Sequence, residues 1–188
     1  MKRPHGKILI LIGPSGVGKS SFIERILKEE ANFCDIITYT TRDPRAGEKE
    51  GDPYHFVSQE KFEKLKSQDF FVETASVHGK FYGTPWDQIR NAWKQKKIVI
   101  MDVDVQGARH FKKEFPHAVT VFLAPPSMDA LRNRIERRGS VSNIEVRLQT
   151  ALKEMAAAQD FDHHLINDEF EPAYRQFRKL IEKLLKNQ

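Results

Sequence analysis

An α/β fold is predicted for this chain: a phosphate-loop, nucleoside-triphosphate-binding core built on a parallel sheet flanked by helices, with a smaller lobe inserted. Three observations lead there. Strand-like apolar runs alternate with helical patterns along most of the length, and such alternation means parallel strands joined by crossover helices that cover both faces. The first apolar run opens directly into a glycine-rich segment ending in Gly-Lys-Ser, and a helical pattern follows it. The rhythm then breaks between about residues 40 and 92, a stretch that reads as a lobe set between two parallel strands.

The first strand is expected over 8–12 (Ile8-Leu9-Ile10-Leu11-Ile12), and the segment after it is Gly13-Pro14-Ser15-Gly16-Val17-Gly18-Lys19-Ser20. The spacing G-x-x-x-x-G-K-S between a strand and a helix is that of the loop that cradles polyphosphates. A tight loop around an anion needs inward-pointing N–H groups, and glycine supplies the dihedrals. A helix expected over 19–30, with Ser21 in its first turn, aims its positive end at the same anion. Lys19 is expected to reach the β- and γ-phosphates and the Ser20 hydroxyl to bind Mg²⁺. The plain alternative is a glycine-rich turn with a chance Lys-Ser; the order strand, loop, helix argues against it.

Further core strands are expected over 36–39, 98–102, 119–124 and 164–167, and helices over 105–115, 127–137, 143–159 and 172–186. Inside the lobe, 42–52 reads as loop, 59–67 as a short helix, and 70–75 and 80–83 as strands. Thr84-Pro85 reads as a helix start, with Thr84 as the N-cap and Pro85 at the first helical position. The last helix is amphipathic, with basic residues opposite Phe177, Leu180, Ile181 and Leu184.

Composition narrows the function classes. A length of 188 residues suits one domain with a small inserted lobe. No apolar run approaches a membrane span, the N-terminus lacks a signal-peptide apolar stretch, and one cysteine, Cys34, permits no internal disulfide. A cytoplasmic protein is expected. A formal charge of +5 suits a cleft that holds phosphates; it is also all that supports a nucleic-acid partner, and none is expected. Oligomeric state is not legible.

Two further signals carry chemistry. The strand Ile98-Val99-Ile100-Met101 ends in Asp102, where an acid beside a phosphate loop holds Mg²⁺ through water; an acid there is also a common turn former. Asp104, two residues on, would share its face if the strand continued. In Arg42-Asp43-Pro44-Arg45, two arginines can present planar forks to one phosphate, on a loop stiffened by Pro44; most such turns are merely solvated. His163 and His164 lack metal-ligand spacing.

Taken together, T-T-R-x-P-R-A-G-E from Thr40, D-x-Y-x-F from Asp52, the Y-G-T-P turn at Tyr82–Pro85 and I-V-I-M-D-V-D-V-Q-G from Ile98 resemble the guanylate kinase family. The likeness runs from about Lys7 to the C-terminal helix. It implies phosphoryl transfer from ATP to GMP, with dGMP a second acceptor, and a single three-part domain: a core over 1–38 and 93–188, a GMP-binding lobe over 39–92, and a mobile lid over 132–150. By motif match, Arg42, Arg45, Tyr54 and Tyr82 bind the GMP phosphate, while Glu73 and Asp104 read the guanine edge with Thr38 and Thr84 assisting; Asp102 borders the same GMP site. Thr38 stands where the family more often has serine and keeps the hydroxyl. Arg134, Arg138 and Arg147 would close over the triphosphate as catalytic cations together with Lys19 and Arg42, and Asn167 would lie beside the donor adenine. Arg132 and Arg137 read as surface charges. The segment 139–146 is slightly shorter and less acidic than the family's usual stretch.

Guanine offers N1–H and N2–H donors beside the O6 acceptor, so carboxylates and a hydroxyl suit it. Adenine has neither donor at those positions, and each buried polar group left unpaired costs about 1–3 kcal/mol. Two other readings compete. A kinase of a ribosyl phosphate would not need Glu73 and Asp104. A non-catalytic interaction module would tolerate loss of Lys19, Ser20, Arg134 or Arg138, and all four are present.

Overall fold

A computed structural model describes residues 6–45, 47–77, 79–137 and 144–186. In chain order the elements are β1 (Ile8–Ile12), α1 (Lys19–Glu29), β2 (Phe33–Asp35), β3 (Thr38–Thr40), β4 (Lys49–Glu50), β5 (Pro53–Phe56), α2 (Gln59–Ser67), β6 (Phe71–Val77), β7 (Lys80–Pro85) and α3 (Trp86–Lys94). They continue as β8 (Ile98–Asp102), α4 (Val105–Glu114), β9 (Val119–Ala124), α5 (Met128–Arg137), α6 (Ile144–Ala156), β10 (His163–Ile166) and α7 (Phe170–Lys186).

Two five-stranded sheets organise these elements. The first runs β10-β9-β1-β8-β2 and is wholly parallel, as expected. Its central strand is buried at every residue. Leu9 and Leu11 face a core shared with α1 and α7, while Ile8, Ile10 and Ile12 face one shared with α3 and α4. The second sheet runs β4-β5-β3-β7-β6 and is mixed: β3 pairs parallel with β5 and antiparallel with β7. Phe62 of α2 stacks on Phe71 and Phe81, with centroids 4.8 and 5.7 Å apart, and closes one side of it.

The crossing between the sheets corrects the strand expected over 36–39. The core strand is β2, one turn of chain earlier, and Ile36 and Ile37 lie in no strand. Asp35 Oδ1 accepts from Ile36 N at 2.8 Å, and the Gln88 side chain takes both polar groups of Ile37, accepting from its N at 2.9 Å and donating to its O at 3.2 Å. A side chain from α3 thus supplies what a neighbouring strand would have, and the chain leaves one sheet for the other there. β4 and β5 form inside or just after a stretch read as loop.

The helix start at Thr84 is also corrected. Thr84 and Pro85 end β7, Pro85 is the N-cap, and Trp86 is the first helical residue. The Thr84 hydroxyl is committed elsewhere, donating to Glu73 Oε1 at 2.7 Å, so it caps nothing. The remaining helices keep the expected order. The largest fully buried side chains include Phe22 of α1, set edge-on against Phe170, Tyr174 and Phe177 of α7 at centroid distances of 5.2, 5.6 and 5.3 Å. This cluster pins α1, and therefore the loop before it, to the end of the chain. Phe22→Ala is expected to lower the unfolding free energy by about 3–5 kcal/mol through the cavity it leaves, as read from urea denaturation.

Candidate functional site

The loop after β1 is held by backbone conformations that only glycine adopts cheaply. Gly13 has φ +141°, and a Cβ there would stand 2.1 Å from Leu123 O of β9, so a side chain is barred by both conformation and space. Gly18, φ +104°, is the N-cap of α1. Lys19 Nζ donates to Gly13 O at 2.6 Å and lies 3.4 Å from Pro14 O. Ser20 and Ser21 are exposed in the first turn of α1, and Ser15 is exposed at the loop's tip.

An open cleft of about 520 Å³ runs along this loop, lined by Gly16, Val17, Gly18, Ser21, Arg134, Arg137, Asn167, Asp168 and Phe170. Asn167, expected at the donor, is buried: its Nδ2 donates to Val17 O at 2.7 Å, and its Oδ1 has no partner among the described residues. Arg134 donates to the backbone oxygens of Asn167 and Asp168 at 2.8 and 2.6 Å, which ties α5 to the segment after β10. Arg137 lines this cleft and is not the plain surface charge expected of it; Arg132 pairs with Glu145 at 2.7 Å. Arg147 sits half-buried on α6. Arg138 lies outside the described residues, as does 139–143.

The second sheet carries the arginine loop between β3 and β4. The two threonines before Arg42 explain its placement. Thr40 Oγ1 donates to Phe81 O at 3.0 Å and lies 3.2 Å from the Arg42 N that donates to it; Thr41 Oγ1 accepts from Phe81 N at 2.9 Å. Arg42 is therefore fixed beside Tyr82 of β7. Its Nη2 is 2.9 Å from each Glu48 oxygen, and its guanidinium lies over the rings of Tyr54 and Phe56 at 5.3 and 5.7 Å. Glu48 also accepts from Arg45 N at 2.7 Å, so one carboxylate orders both ends of the Arg42–Arg45 turn, while the Arg45 side chain stays exposed. Tyr54 and Tyr82 meet edge-on at 5.9 Å. Burial, with the Asp102 charge second, holds the Tyr54 phenol well above its ordinary range, so it is a neutral donor at any working pH.

Glu73 and Asp104 come together, though not as expected. The strand stops at Asp102, and Asp104 is the N-cap of α4, its Oδ1 accepting from Gly107 N at 2.7 Å. Gly107 is where the two acids approach each other: a Cβ on it would stand 3.3 Å from Asp104 Oδ1 and 3.5 Å from Glu73 Oε2. Glu73 is 8 % exposed, and burial first, then the Asp104 charge, pushes its carboxyl up to about 7 against the Thr84 hydrogen bond. Thr38 pairs with Tyr54 across β3 and β5, on the same sheet.

Three residues have no motif to announce them. Arg137 and Phe170 line the loop side. Glu154 of α6 is crowded enough that burial pushes its carboxyl up to about 7, with Lys19 opposing and Asp104 adding to the shift. Nothing in Lys153-Glu154-Met155 signals this, because only the packing of α6 on the core crowds it. Among the described residues no group of three or more His, Cys, Asp or Glu side chains forms a metal cluster, and no helix is long and apolar enough to cross a membrane.

Comparison with known proteins agrees with this layout. The guanylate kinase family model matches residues 5–184. A guanylate kinase of Bdellovibrio bacteriovorus is 49 % identical over 181 residues, covering 95 % of this chain and 98 % of that one. One of Nostoc is 42 % identical over 170 residues, covering 89 % and 85 %. The solved guanylate kinase of Anaplasma phagocytophilum superposes with a TM-score of 0.78 at 30 % identity, covering 96 % of this chain and 87 % of that one. With this sheet order, this loop and these matches over nearly its whole length, the chain belongs to the guanylate kinase family.

Proposed function

We propose that the protein transfers the γ-phosphoryl group of ATP to a phosphate oxygen of GMP, and of dGMP, giving ADP and GDP or dGDP. The observation that carries this reading is the convergence of Glu73 and Asp104 at Gly107, beside which the second sheet carries the cluster of Arg42, Tyr54 and Tyr82. Two carboxylates accept from the N1–H and N2–H of guanine, and the arginine fork with two phenols holds the 5′-phosphate at the carboxyl edge of the first sheet.

Phosphoryl transfer asks for positioning and cations more than covalent help. The loop N–H groups and the positive end of α1 cradle the donor phosphates, and Lys19 trades its two loop carbonyls for β- and γ-oxygens. The acceptor oxygen attacks the γ-phosphorus in line, and ADP leaves from the opposite side. Arg134, Arg138 and Arg147 offset charge that builds on the transferring group, each worth about 10³-fold or more by the precedent of arginines in such sites. Arg134 already grips the segment that carries Asn167, so α5 and the donor-base wall move as one piece. Closure of the 132–150 lid excludes water that would otherwise take the phosphoryl group. Ser20 and Asp102 offer hard oxygen donors at the mouth of the loop, which fits Mg²⁺. Ser20 and Asp102 would hold such an ion, which would neutralise charge on the donor phosphates. The setting is cytoplasmic, where ATP and GMP are found.

A ribosyl phosphate acceptor would leave the Glu73 and Asp104 carboxylates facing no donor, and a binding module would have no use for an intact Lys19. The test is ADP release from Mg·ATP with GMP, dGMP, AMP, UMP and ribose 1,5-bisphosphate offered in parallel. Turnover with GMP and dGMP alone is expected; turnover with the sugar phosphate would replace this reading. Lys19→Met is expected to abolish turnover while GMP binding, followed by calorimetry, persists.

The raised Glu73 carboxyl adds a pH signature. Guanine donors need the ionised form, and a group titrating near 7 is increasingly protonated below that. GMP affinity is therefore expected to fall as pH drops from about 7 towards 5, by up to about tenfold per unit. Glu73→Gln should flatten that slope relative to wild type, weaken GMP by about tenfold, and relax the preference over AMP. Calorimetric titrations of both proteins across this range provide the check; parallel slopes would remove Glu73 from base reading.

A further inference from the structure

We propose that Asp35 is a second carboxylate of the divalent-cation site, acting beside Asp102 and the Ser20 hydroxyl on a metal bound with the donor triphosphate. This rests on the phosphotransfer reading above and adds a residue that neither the phosphate-loop motif nor the acid at the end of β8 brings with it.

Strand register carries the inference. β2 is the edge strand beside β8, parallel to it, with Phe33 opposite Ile98, Cys34 opposite Val99 and Asp35 opposite Ile100. Phe33, Ile98 and Ile100 all point into the core that also holds Phe22, Ile23 and Ile26 of α1. Side chains two apart along a strand share a face, so Asp35, two beyond Phe33, and Asp102, two beyond Ile100, both turn to the α1 side. Both stand at the carboxyl edge, where α1 begins with Lys19 and Ser20. Register and the start of α1 thus put three hard oxygen donors from three separate elements at the carboxyl edge beside the phosphate loop, the ligand type Mg²⁺ takes.

The surroundings of Asp35 fit this role. Its Oδ1 is oriented by Ile36 N at 2.8 Å, and among the described residues no donor reaches the other oxygen. No Lys, Arg or His among them forms an ion pair with Asp35 or with Asp102. Asp35 is exposed at this edge. Two carboxylates sharing one side of a sheet edge without a cation repel each other, and a divalent ion between them and the triphosphate removes that repulsion.

The competing role for Asp35 is purely local: a turn former that accepts from Ile36 N where the chain changes sheets. Asp35→Asn separates the two, because the amide oxygen can still accept that bond while the charge is lost. Mn²⁺ is titrated, by electron paramagnetic resonance, into the full-length protein holding a non-hydrolysable ATP analogue. Asp35→Asn is expected to weaken Mn²⁺ binding about tenfold or more, in the range lost when supporting carboxylates of a metal site are removed. Affinity for the analogue without metal, and for GMP, should be unchanged. Asp102→Asn serves as the positive control. If Asp102→Asn weakens Mn²⁺ binding and Asp35→Asn does not, Asp35 is only a turn former and the proposal is overturned. If the wild type binds neither analogue nor Mn²⁺, the phosphotransfer reading fails as well. Asp35→Ser, whose hydroxyl can also accept from Ile36 N, makes the same separation should the asparagine variant not fold.

Discussion

Leu9 and Leu11 turn to one side of the parallel sheet while Ile8, Ile10 and Ile12 turn to the other, so β1 is stable only in the middle, flanked by β8 and β9. That constraint decides where the phosphate loop can be. The loop leaves β1 at the carboxyl edge, where successive connections depart to opposite sides and open a crevice. Gly13 must then pass so close to Leu123 O that no side chain fits. α1 is sent back along one face with its first turn aimed into the crevice, and Phe22 locks it against α7. The acids at the ends of β2 and β8 reach the same edge because those strands stack in register beside β1.

The cleft is electrostatically divided. Cationic groups gather on the loop and on α5, while carboxyls from β2, β6 and α6 sit at its margins with ionisation made unfavourable by burial. Each such carboxyl holds its proton more tightly in the folded chain than in the unfolded one. The native state therefore binds more protons between the ordinary carboxylate range and about pH 7, and these groups cost stability as the pH rises through that window. Glu48 is the opposite case: Arg45 N and the Arg42 guanidinium hold its carboxyl below the ordinary range despite partial burial. Glu48, which orders Arg42 and Arg45, is thus kept ionised, whereas Asp35, Glu73 and Glu154 hold their protons up to about pH 7.

Much of this was legible in the sequence where one residue type answers to one physical need. The loop glycines, Lys19 and Ser20 are legible because an anion cradle tolerates few alternatives, and the apolar core strands because no polar residue interrupts them. Errors fall where a side chain substitutes for backbone pairing or is diverted from a local task. Ile36 and Ile37 have strand propensity, yet Gln88, about fifty positions away, takes the hydrogen bonds of Ile37 and ends the strand. Thr84-Pro85 has the chemistry of a helix start, yet Thr84 is drawn to Glu73. Asp104 reached its expected neighbour by a different route, as a helix cap in place of a strand residue. Arg137 carries no motif, and only the packing of α5 brings it to the cleft.

The strands of the second sheet all fall between Thr38 and Pro85, so the chain enters that sheet once, past Ile37, and leaves it once, into α3. Every strand of the phosphate-loop sheet lies outside this interval. The phosphate loop and the cluster of Arg42, Tyr54 and Tyr82 are therefore written in separate stretches of polypeptide, joined at two points. The inner stretch can vary without disturbing a single pairing of the parallel ladder, so the two sheets are separable units of sequence change within one chain.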